Sequence, residues 1–210
     1  MPRLLHLDSS ADLTGSRSRA ITAALAEAWA ARGEDYEVVR RDLHTDPLPH
    51  IPHPELHWAA ADRTAGTVVP TEWETLQRSV IEELSSVDAV VVGAPLYNYT
   101  VPSTLKVWLD CIHVPGVMFG AGTEPMTGRP AVVVSSRGAV YDEGTPTEGW
   151  DHGVPVLKII LGDALRMDVT VVQTSITLAH RVPDLAGFAD RSDAEFAAAL
   201  DRARELGSTL

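Results

Sequence analysis

Cysteine is almost absent from this 210-residue sequence, in which only Cys111 occurs. One cysteine excludes an internal disulfide framework and a zinc site built from cysteine ligands. Cys111 lies in a stretch with helical spacing, so we expect a packed core thiol. Aromatic residues are also few, at 6% of the chain.

Positive charge is scarce as well. Lysine and arginine number 17 against 29 acidic residues, which gives a formal net charge of −12. No basic run or basic helix face occurs, so we expect neither nucleic acid nor an anionic membrane as a partner. Any anionic ligand must therefore be held by local geometry.

Long apolar runs are missing too. No segment approaches the length of a membrane span, and the apolar run after Met1 is too short for a signal peptide. We therefore expect a cytoplasmic protein. The length and the 45% hydrophobic content fit one globular domain over residues 1–210.

Apolar segments of strand and helix type alternate along the whole chain. The predicted strands are residues 3–8, 36–42, 89–92, 129–134 and 168–173, and the predicted helices are residues 19–31, 71–85, 103–111, 152–165 and 193–206. This alternation predicts an α/β fold with helices on both faces of a parallel sheet. We expect a flavodoxin-like, doubly wound five-stranded sheet of order 2-1-3-4-5, which binds ligands outside the carboxyl ends of its strands.

The loop after the third predicted strand is the strongest candidate for a ligand site. It reads Pro95-Leu96-Tyr97-Asn98-Tyr99 and leads into a helix. Backbone N–H groups, one amide and two phenols within a few residues suit a planar ring rich in heteroatoms. In the flavodoxin-like arrangement that ring is the flavin of FMN.

A hydroxyl-rich loop follows the first strand and precedes a helix. Ser9, Ser16 and Ser18 offer donors there and Arg17 offers a charge, so the helix start is a candidate phosphate site. The alternative is an ordinary helix cap, because serine and threonine commonly begin helices. The motifs of P-loop and dinucleotide-binding proteins are absent.

A third polar loop follows the fourth strand. It contains Ser136, Arg137, Gly138, Ala139 and Tyr141 and could form the opposite wall of the crevice or a simple surface turn. Elsewhere, the loop at residues 44–58 carries four histidines. Its prolines prevent helical pairing of ligands, so we expect no metal there but a pocket wall or a dimer contact.

These motifs together resemble the FMN-dependent NADH:azoreductases and their quinone reductase relatives. The shared residues are Ser9-Ser10, Ser16-Arg17-Ser18, Arg41-Asp42-Leu43, Asp46-Pro47-Leu48-Pro49, Ala94-Pro95-Leu96-Tyr97-Asn98-Tyr99, Ser136-Arg137-Gly138 and Leu161-Gly162. The similarity spans most of the chain, and the loop at residues 95–99 is its most specific part.

The resemblance implies FMN as cofactor, NADH or NADPH as reductant, and a small-molecule quinone or azo compound as electron acceptor in ping-pong chemistry. It also implies a homodimer whose active sites are completed by the partner subunit. The implied cofactor-binding residues are Ser9, Ser16, Arg17, Ser18, Pro95, Leu96, Tyr97, Asn98, Tyr99, Ser136, Arg137, Gly138 and Ala139. The flavin carries the chemistry, so no catalytic acid–base pair is expected, although Asn98 and Tyr141 are candidates near the ring.

The sequence departs from this family where substrate would bind. Ala139 replaces a second glycine, Asp163 replaces an aromatic residue, and Gly120-Ala121-Gly122 lacks the aromatic residue common there. The candidates for the substrate pocket are His57, Trp58, Phe119, Tyr141, Trp150 and Asp163. Flavodoxin-type electron carriage, a specialised biosynthetic reduction, a redox-neutral flavoenzyme and structural nucleotide binding remain alternatives.

Overall fold

A five-stranded parallel sheet of order β2-β1-β3-β4-β5 forms the centre of the molecule. This computed structural model describes residues 1–120 and 122–210. The strands are β1 (Arg3–Asp8), β2 (Glu37–Asp42), β3 (Ala89–Pro95), β4 (Pro130–Ser136) and β5 (Asp168–Thr174). The predicted fold class and strand order are confirmed.

Strand β3 lies in the middle of the sheet, and all seven of its residues are buried. This burial is expected of a strand that is covered on both faces. Val90 and Val92 belong to the core on one face, and Val91 belongs to the core on the other. The register pairs Asp8 with Gly93 and Pro95 with Ser136. Strands β1, β3 and β4 therefore end at one edge of the sheet.

Helices cover both faces of the sheet. They are α1 (Arg17–Ala30), α2 (Thr71–Ser85), α3 (Ser103–Ile112), α4 (Gly153–Leu157) and α5 (Ala189–Thr209). Short 3-10 turns span Pro54–His57, Ala60–Asp62 and Pro183–Phe188. Helices α1 and α5 share a core with Val91, whereas α2, α3 and α4 cover the other face.

Four predicted boundaries are wrong in ways that affect the site. The last helix begins at Ala189, four residues before its predicted start, because the 3-10 turn before it runs directly into α5, and Ser192 is buried inside that helix. The first helix begins two residues earlier than predicted, at Arg17. Strands β3 and β4 continue to Pro95 and Ser136, so these two residues belong to the sheet edge.

The predicted helix at residues 152–165 is divided. After α4 the chain continues as a π-helix over Lys158–Ala164, in which the Leu165 N–H donates to the Ile160 carbonyl. Within the described ranges 1–120 and 122–210, no helix combines the length and the apolar character that crossing a membrane requires. The same residues contain no group of three histidine, cysteine or acidic side chains able to hold a metal.

Candidate functional site

A cleft of about 390 Å³ opens at the carboxyl edge of the sheet, between the loops that follow β1, β3 and β4. The lining residues are Ser10, Asp12, Gly15, Ser16, Arg17, Pro95, Leu96, Tyr97, Ser136, Gly138, Thr177, Leu178 and Arg181. The three loops predicted from sequence thus meet in one place, and a fourth segment, after β5, joins them.

One end of the cleft is formed by the start of α1. Ser16 is the N-cap residue, and its Oγ accepts a hydrogen bond from the Arg19 N–H at 3.3 Å. Ser18 is fully buried, with its Oγ 3.1 Å from that of Ser16. The first N–H groups of a helix lack partners inside the helix and carry its positive dipole end. An anion would therefore be stabilised beside Ser16.

Asp12 holds the loop before α1 in shape. Its Oδ1 accepts hydrogen bonds from the N–H groups of Gly15 at 2.8 Å and Thr14 at 3.0 Å. These two hydrogen bonds lower the pKa of the Asp12 carboxyl, and the bond from Gly15 is the larger cause. The residue is consequently ionised at neutral pH, and it places a negative charge in the cleft.

The serines after β1 tie this loop to the neighbouring one. Ser9 donates from its Oγ to the Gly93 carbonyl at 2.6 Å, so that proton is used inside the fold. The Ala11 N–H donates to the Tyr97 hydroxyl at 3.1 Å, and Ser10 Oγ lies 3.3 Å from the same hydroxyl. The loops after β1 and β3 are therefore linked through Tyr97.

Arg17 was expected to place its charge in the cleft, but its guanidinium contacts α5 instead. Nη1 donates to the Ser192 carbonyl and Oγ at 2.7 and 2.9 Å, and Nη2 contacts Asp193 at 2.9 Å. The group also stacks on the ring of Phe196, 4.8 Å from its centroid. Arg17 thus fastens α5 to the start of α1, and its charge is compensated by Asp193.

Arg19 is a structural support that the sequence did not reveal. Its guanidinium donates two hydrogen bonds to Asp42, at 2.8 and 2.9 Å, and two to the Ser10 carbonyl, at 3.2 and 2.6 Å. The hydrogen bonds from Arg19 are the main cause that lowers the pKa of Asp42 to about 2. The loop after β1 is in this way anchored to the end of β2.

The loop after β3 is a tight two-residue turn. Tyr97 and Thr100 exchange both backbone hydrogen bonds, at 2.9 and 3.1 Å. Between them, Asn98 and Tyr99 have φ values of 48° and 72°. Asparagine tolerates this left-handed backbone, which is typical of such turns. Asn98 therefore has a conformational reason to be present in addition to its expected contact with the ring, and its side chain is exposed.

Arg137 supports the opposite loop from beneath. It is buried, and its Nε and Nη2 donate to Ser175 Oγ at 3.1 and 2.7 Å, while Nη1 lies 3.6 Å from Asp151. Its guanidinium also lies 5.3 Å from the centroid of Tyr141. Arg137 therefore positions the loop and the Tyr141 ring, and Gly138 presents its backbone to the cleft.

The segment after β5 closes the cleft and was missed in the sequence. The N–H groups of Ile176, Thr177 and Leu178 donate to carbonyls of residues 137–139 at 3.0–3.3 Å. Ile176 has a φ of 56°, unusual for a β-branched residue, and these bonds and its burial hold it there. A Cβ on Gly138 would lie 3.0 Å from the side chain of Leu178, so a larger residue there would require that side chain to shift.

Three aromatic side chains, Tyr99, Tyr141 and Trp150, lie near one another, and none of them lines the cleft itself. The rings of Tyr99 and Trp150 meet edge to face with centroids 5.3 Å apart, and both side chains are partly exposed. Burial, with the nearby Tyr99 as a smaller cause, raises the pKa of the Tyr141 phenol. Tyr141 accordingly keeps its proton at neutral pH and can donate a hydrogen bond.

The remaining substrate candidates lie elsewhere. Trp58 and Phe119 line a second, more open pocket of about 630 Å³, which shares no residue with the first. His57 is exposed and lines neither pocket, and Asp163 is exposed on the π-helix after α4. The expected glycine-rich loop is only partly visible, because Ala121 lies outside the described residues.

The structure thus brings together seven of the predicted cofactor residues along the cleft: Ser16, Arg17, Pro95, Leu96, Tyr97, Ser136 and Gly138. The other six do not line the cleft: Ser9, Ser18, Asn98, Tyr99, Arg137 and Ala139. Sequence reasoning overlooked Arg19, Thr177, Leu178 and Arg181. The loop after β5 could have been suspected, because parallel strands all end at one edge of a sheet.

Comparison with known proteins gives a consistent result over the whole length. A model of a family described as having the flavodoxin-like fold matches residues 2–206. A protein of Kineococcus radiotolerans named FMN-dependent NADH:quinone oxidoreductase is 64% identical over 210 residues, which cover all of both chains. One of the same name from Streptomyces avermitilis is 36% identical over 212 residues, covering 100% of this chain and 97% of the relative.

Solved structures agree in fold. An azoreductase from Bacillus anthracis superposes over 100% of both chains with a TM-score of 0.81 at 19% identity. An NAD(P)H:quinone oxidoreductase from Methanothermobacter marburgensis superposes over 99% of this chain and 96% of its own, with a TM-score of 0.67 at 22% identity. At these identities the likeness concerns the fold alone.

Proposed function

The chain belongs to the family of FMN-dependent NADH:quinone oxidoreductases, within the flavodoxin-like fold, and on this premise we propose that it transfers electrons from NADH to a quinone. The whole-length similarity to the Kineococcus radiotolerans protein carries the proposal. The cofactor is FMN, and the cleft at the ends of β1, β3 and β4 is its place.

The donor set at one end of the cleft fits a phosphate. The Ser16 hydroxyl and the first N–H groups of α1 face that end, and they are the groups that helix starts offer to phosphates. Ser9 and Ser18 shape this end from behind, since their hydroxyls are used within the fold. Arg17 contributes its backbone and its connection to α5.

The other end fits a planar ring. Pro95, Leu96 and Tyr97 provide one wall, and Ser136 and Gly138 provide the other. The exposed Asn98 amide is the donor for the polar edge of the ring. Tyr99 and Ala139 border the same space, and the buried Arg137 holds the second wall in position.

FMN, when bound, supplies the chemistry, because it accepts a hydride from NADH and then gives two electrons to the acceptor. The residues of this chain bind and orient the reactants. Tyr141 keeps the proton on its Oη and donates a hydrogen bond to the oxygen of a quinone. NADH and the quinone occupy the same space in turn, which requires ping-pong kinetics.

The acceptor binds at the aromatic cluster formed by Tyr99, Tyr141 and Trp150. Small quinones are better acceptors than azo dyes, because Asp163 and the loop around Gly120 lack the aromatic faces that would hold a large flat dye. Replacing Trp150 with alanine should raise the KM for quinone by about 2- to 10-fold. The rate of flavin reduction at saturating NADH should not change.

The functional unit is a homodimer. The partner subunit covers His57, the exposed Trp58 and the pocket that Phe119 lines. Asp163 of each subunit then lies close to the active site of the other subunit. Light scattering after size-exclusion chromatography tests this point, and a stable monomer that turns over at full rate contradicts it. We place the protein in the cytoplasm, where NADH is supplied, and cell fractionation tests that location.

Initial-rate kinetics with NADH and a small quinone test the reaction itself. Parallel double-reciprocal lines, loss of activity on removal of FMN and recovery on its return are expected. A protein that binds FMN but oxidises neither NADH nor NADPH with any quinone would instead act as an electron carrier. Comparison of kcat/KM for the two nucleotides establishes the preferred reductant.

A further inference from the structure

The proposed phosphate end of the cleft needs a positive charge that its serines do not provide. The whole chain carries a net charge of −12, and Asp12 adds a carboxylate to the cleft itself. Hydrogen bonds donated by the N–H groups of Gly15 and Thr14 lower the pKa of Asp12, so the carboxylate is ionised and repels a phosphate dianion. Helix dipole and hydroxyl donors alone must then overcome this repulsion.

Two of the nearby arginines are already committed. Arg17 is bound to Ser192 and Asp193, and Asp193 is also contacted by His180 at 2.9 Å. Arg19 is bound to Asp42 and to the Ser10 carbonyl. Releasing either guanidinium would break a partly buried set of hydrogen bonds, which costs more than an exposed charge gains.

Arg181 is the remaining cation of the cleft. Its backbone is fixed by a turn in which its N–H donates to the Leu178 carbonyl at 2.9 Å, and Leu178 is itself bonded to Gly138. The side chain is exposed and lines the same cleft as Gly15 and Ser16. Throughout the described parts of the chain, it makes neither an ion pair nor a side-chain hydrogen bond.

We propose that Arg181, and not Arg17, supplies the positive charge that binds the FMN phosphate, while Arg17 serves to position the phosphate loop against α5. This assignment rests on the proposed function, since it presumes that FMN occupies the cleft. A guanidinium on a fixed turn suits a phosphate because it can donate paired hydrogen bonds to two oxygens. The segment after β5 thereby takes part in cofactor selection.

The test compares FMN with riboflavin, which lacks the phosphate, in fluorescence titrations of the apoprotein. Arg181→Gln should weaken FMN binding by about 10-fold and leave riboflavin binding within about 2-fold. Arg181→Lys should recover most of the FMN affinity. Inorganic phosphate should raise the Tm of the wild-type apoprotein and have less effect on Arg181→Gln.

Two further variants separate charge from structure. Arg17→Gln should lower the Tm and weaken FMN and riboflavin by the same factor, because it loosens the joint between α1 and α5. Arg204→Gln is the matched control, since within residues 1–120 and 122–210 this exposed α5 residue pairs only with Asp201, outside the cleft, and should change neither affinity. Salt should weaken FMN binding less in Arg181→Gln than in the wild type.

Three results would overturn the assignment: equal weakening of both flavins by Arg181→Gln, unchanged FMN binding in that variant, or selective loss of FMN in Arg17→Gln. Failure of the proposed function is distinct from these. A wild-type protein that binds FMN through Arg181 but reduces no quinone leaves the assignment intact. A wild-type protein that binds neither flavin overturns both.

Discussion

Replacement of Arg19 with methionine tests how the loop after β1 is supported. Methionine keeps the aliphatic stem and the helix preference of arginine. It removes the hydrogen bonds to Asp42 and Ser10 and the ion pair between Arg19 Nη1 and Asp8 Oδ2, which are 3.6 Å apart. Exposed ion pairs contribute about 0–1 kcal/mol, and breaking a buried pair costs about 3–5 kcal/mol. The Arg19 side chain is 17% exposed and that of Asp42 is 30% exposed, so we expect a loss of about 2–3 kcal/mol.

Urea and thermal unfolding measure this loss. For a chain of this length, it corresponds to a Tm lower by about 4–12 °C. Arg78→Met is the control, because its ion pair with Glu82 spans 3.9 Å between side chains that are 64% and 69% exposed. We expect a change below about 0.5 kcal/mol there. An Arg19→Met protein as stable as the control would refute the supporting role of Arg19.

The acid profile gives an independent check. The folded-state pKa of Asp42 is lowered from 3.8 to about 2, mainly by its hydrogen bonds with Arg19. A carboxyl with a depressed pKa stabilises the fold above its unfolded pKa, and the benefit is lost as pH falls from about 4 to about 2. Arg19→Met should lose less stability across that window than the wild type. Identical acid profiles would mean that a carboxyl other than Asp42 governs the loss of stability in acid.

Four other substitutions or reactions extend the account. Ser16→Asp keeps a good helix cap but adds a charge and should empty the FMN site, whereas Ser16→Asn should retain stability and most binding; equal affinities would place the phosphate elsewhere. Asn98→Gly keeps the left-handed turn and removes the side-chain amide, so we expect slower hydride transfer than in the wild type if the amide contacts the ring. If hydride transfer is slower only in Asn98→Ala, Asn98 serves the turn and not the ring. Gly207→Ala should destabilise by about 1–3 kcal/mol despite better helix preference, because the new Cβ would lie 2.3 Å from the Leu25 carbonyl oxygen; an unchanged urea midpoint would contradict this packing. Cys111 should resist thiol reagents in the native protein, since burial raises its pKa to about 11, and rapid labelling would show that α3 opens.

The fold could be predicted from sequence because its signals are local. The all-buried β3 and the amphipathic spacing of α2, predicted to the residue, depend only on neighbours in the chain. The ligand edge followed from topology, since the loops after parallel strands must meet. The family prediction is confirmed for the same reason, because its motifs lie in those loops.

Side-chain partners could not be predicted in the same way. The Arg17 guanidinium binds Ser192 and Asp193, about 175 residues further along the chain, and no local pattern specifies that pairing. The role of Arg19 depends equally on where β2 ends. The position of Leu178 depends on the left-handed backbone of Ile176. β-Branched residues rarely adopt this conformation, so the sequence does not predict it.

One measurement tests the central claim most directly: the visible absorption spectrum of the purified protein, recorded anaerobically before and after addition of NADH and then of a quinone. We expect a flavin spectrum that one equivalent of NADH bleaches without a stable one-electron form, and that one equivalent of quinone restores. A colourless protein that does not take up FMN, or a bound flavin that NADH leaves oxidised, would contradict the account.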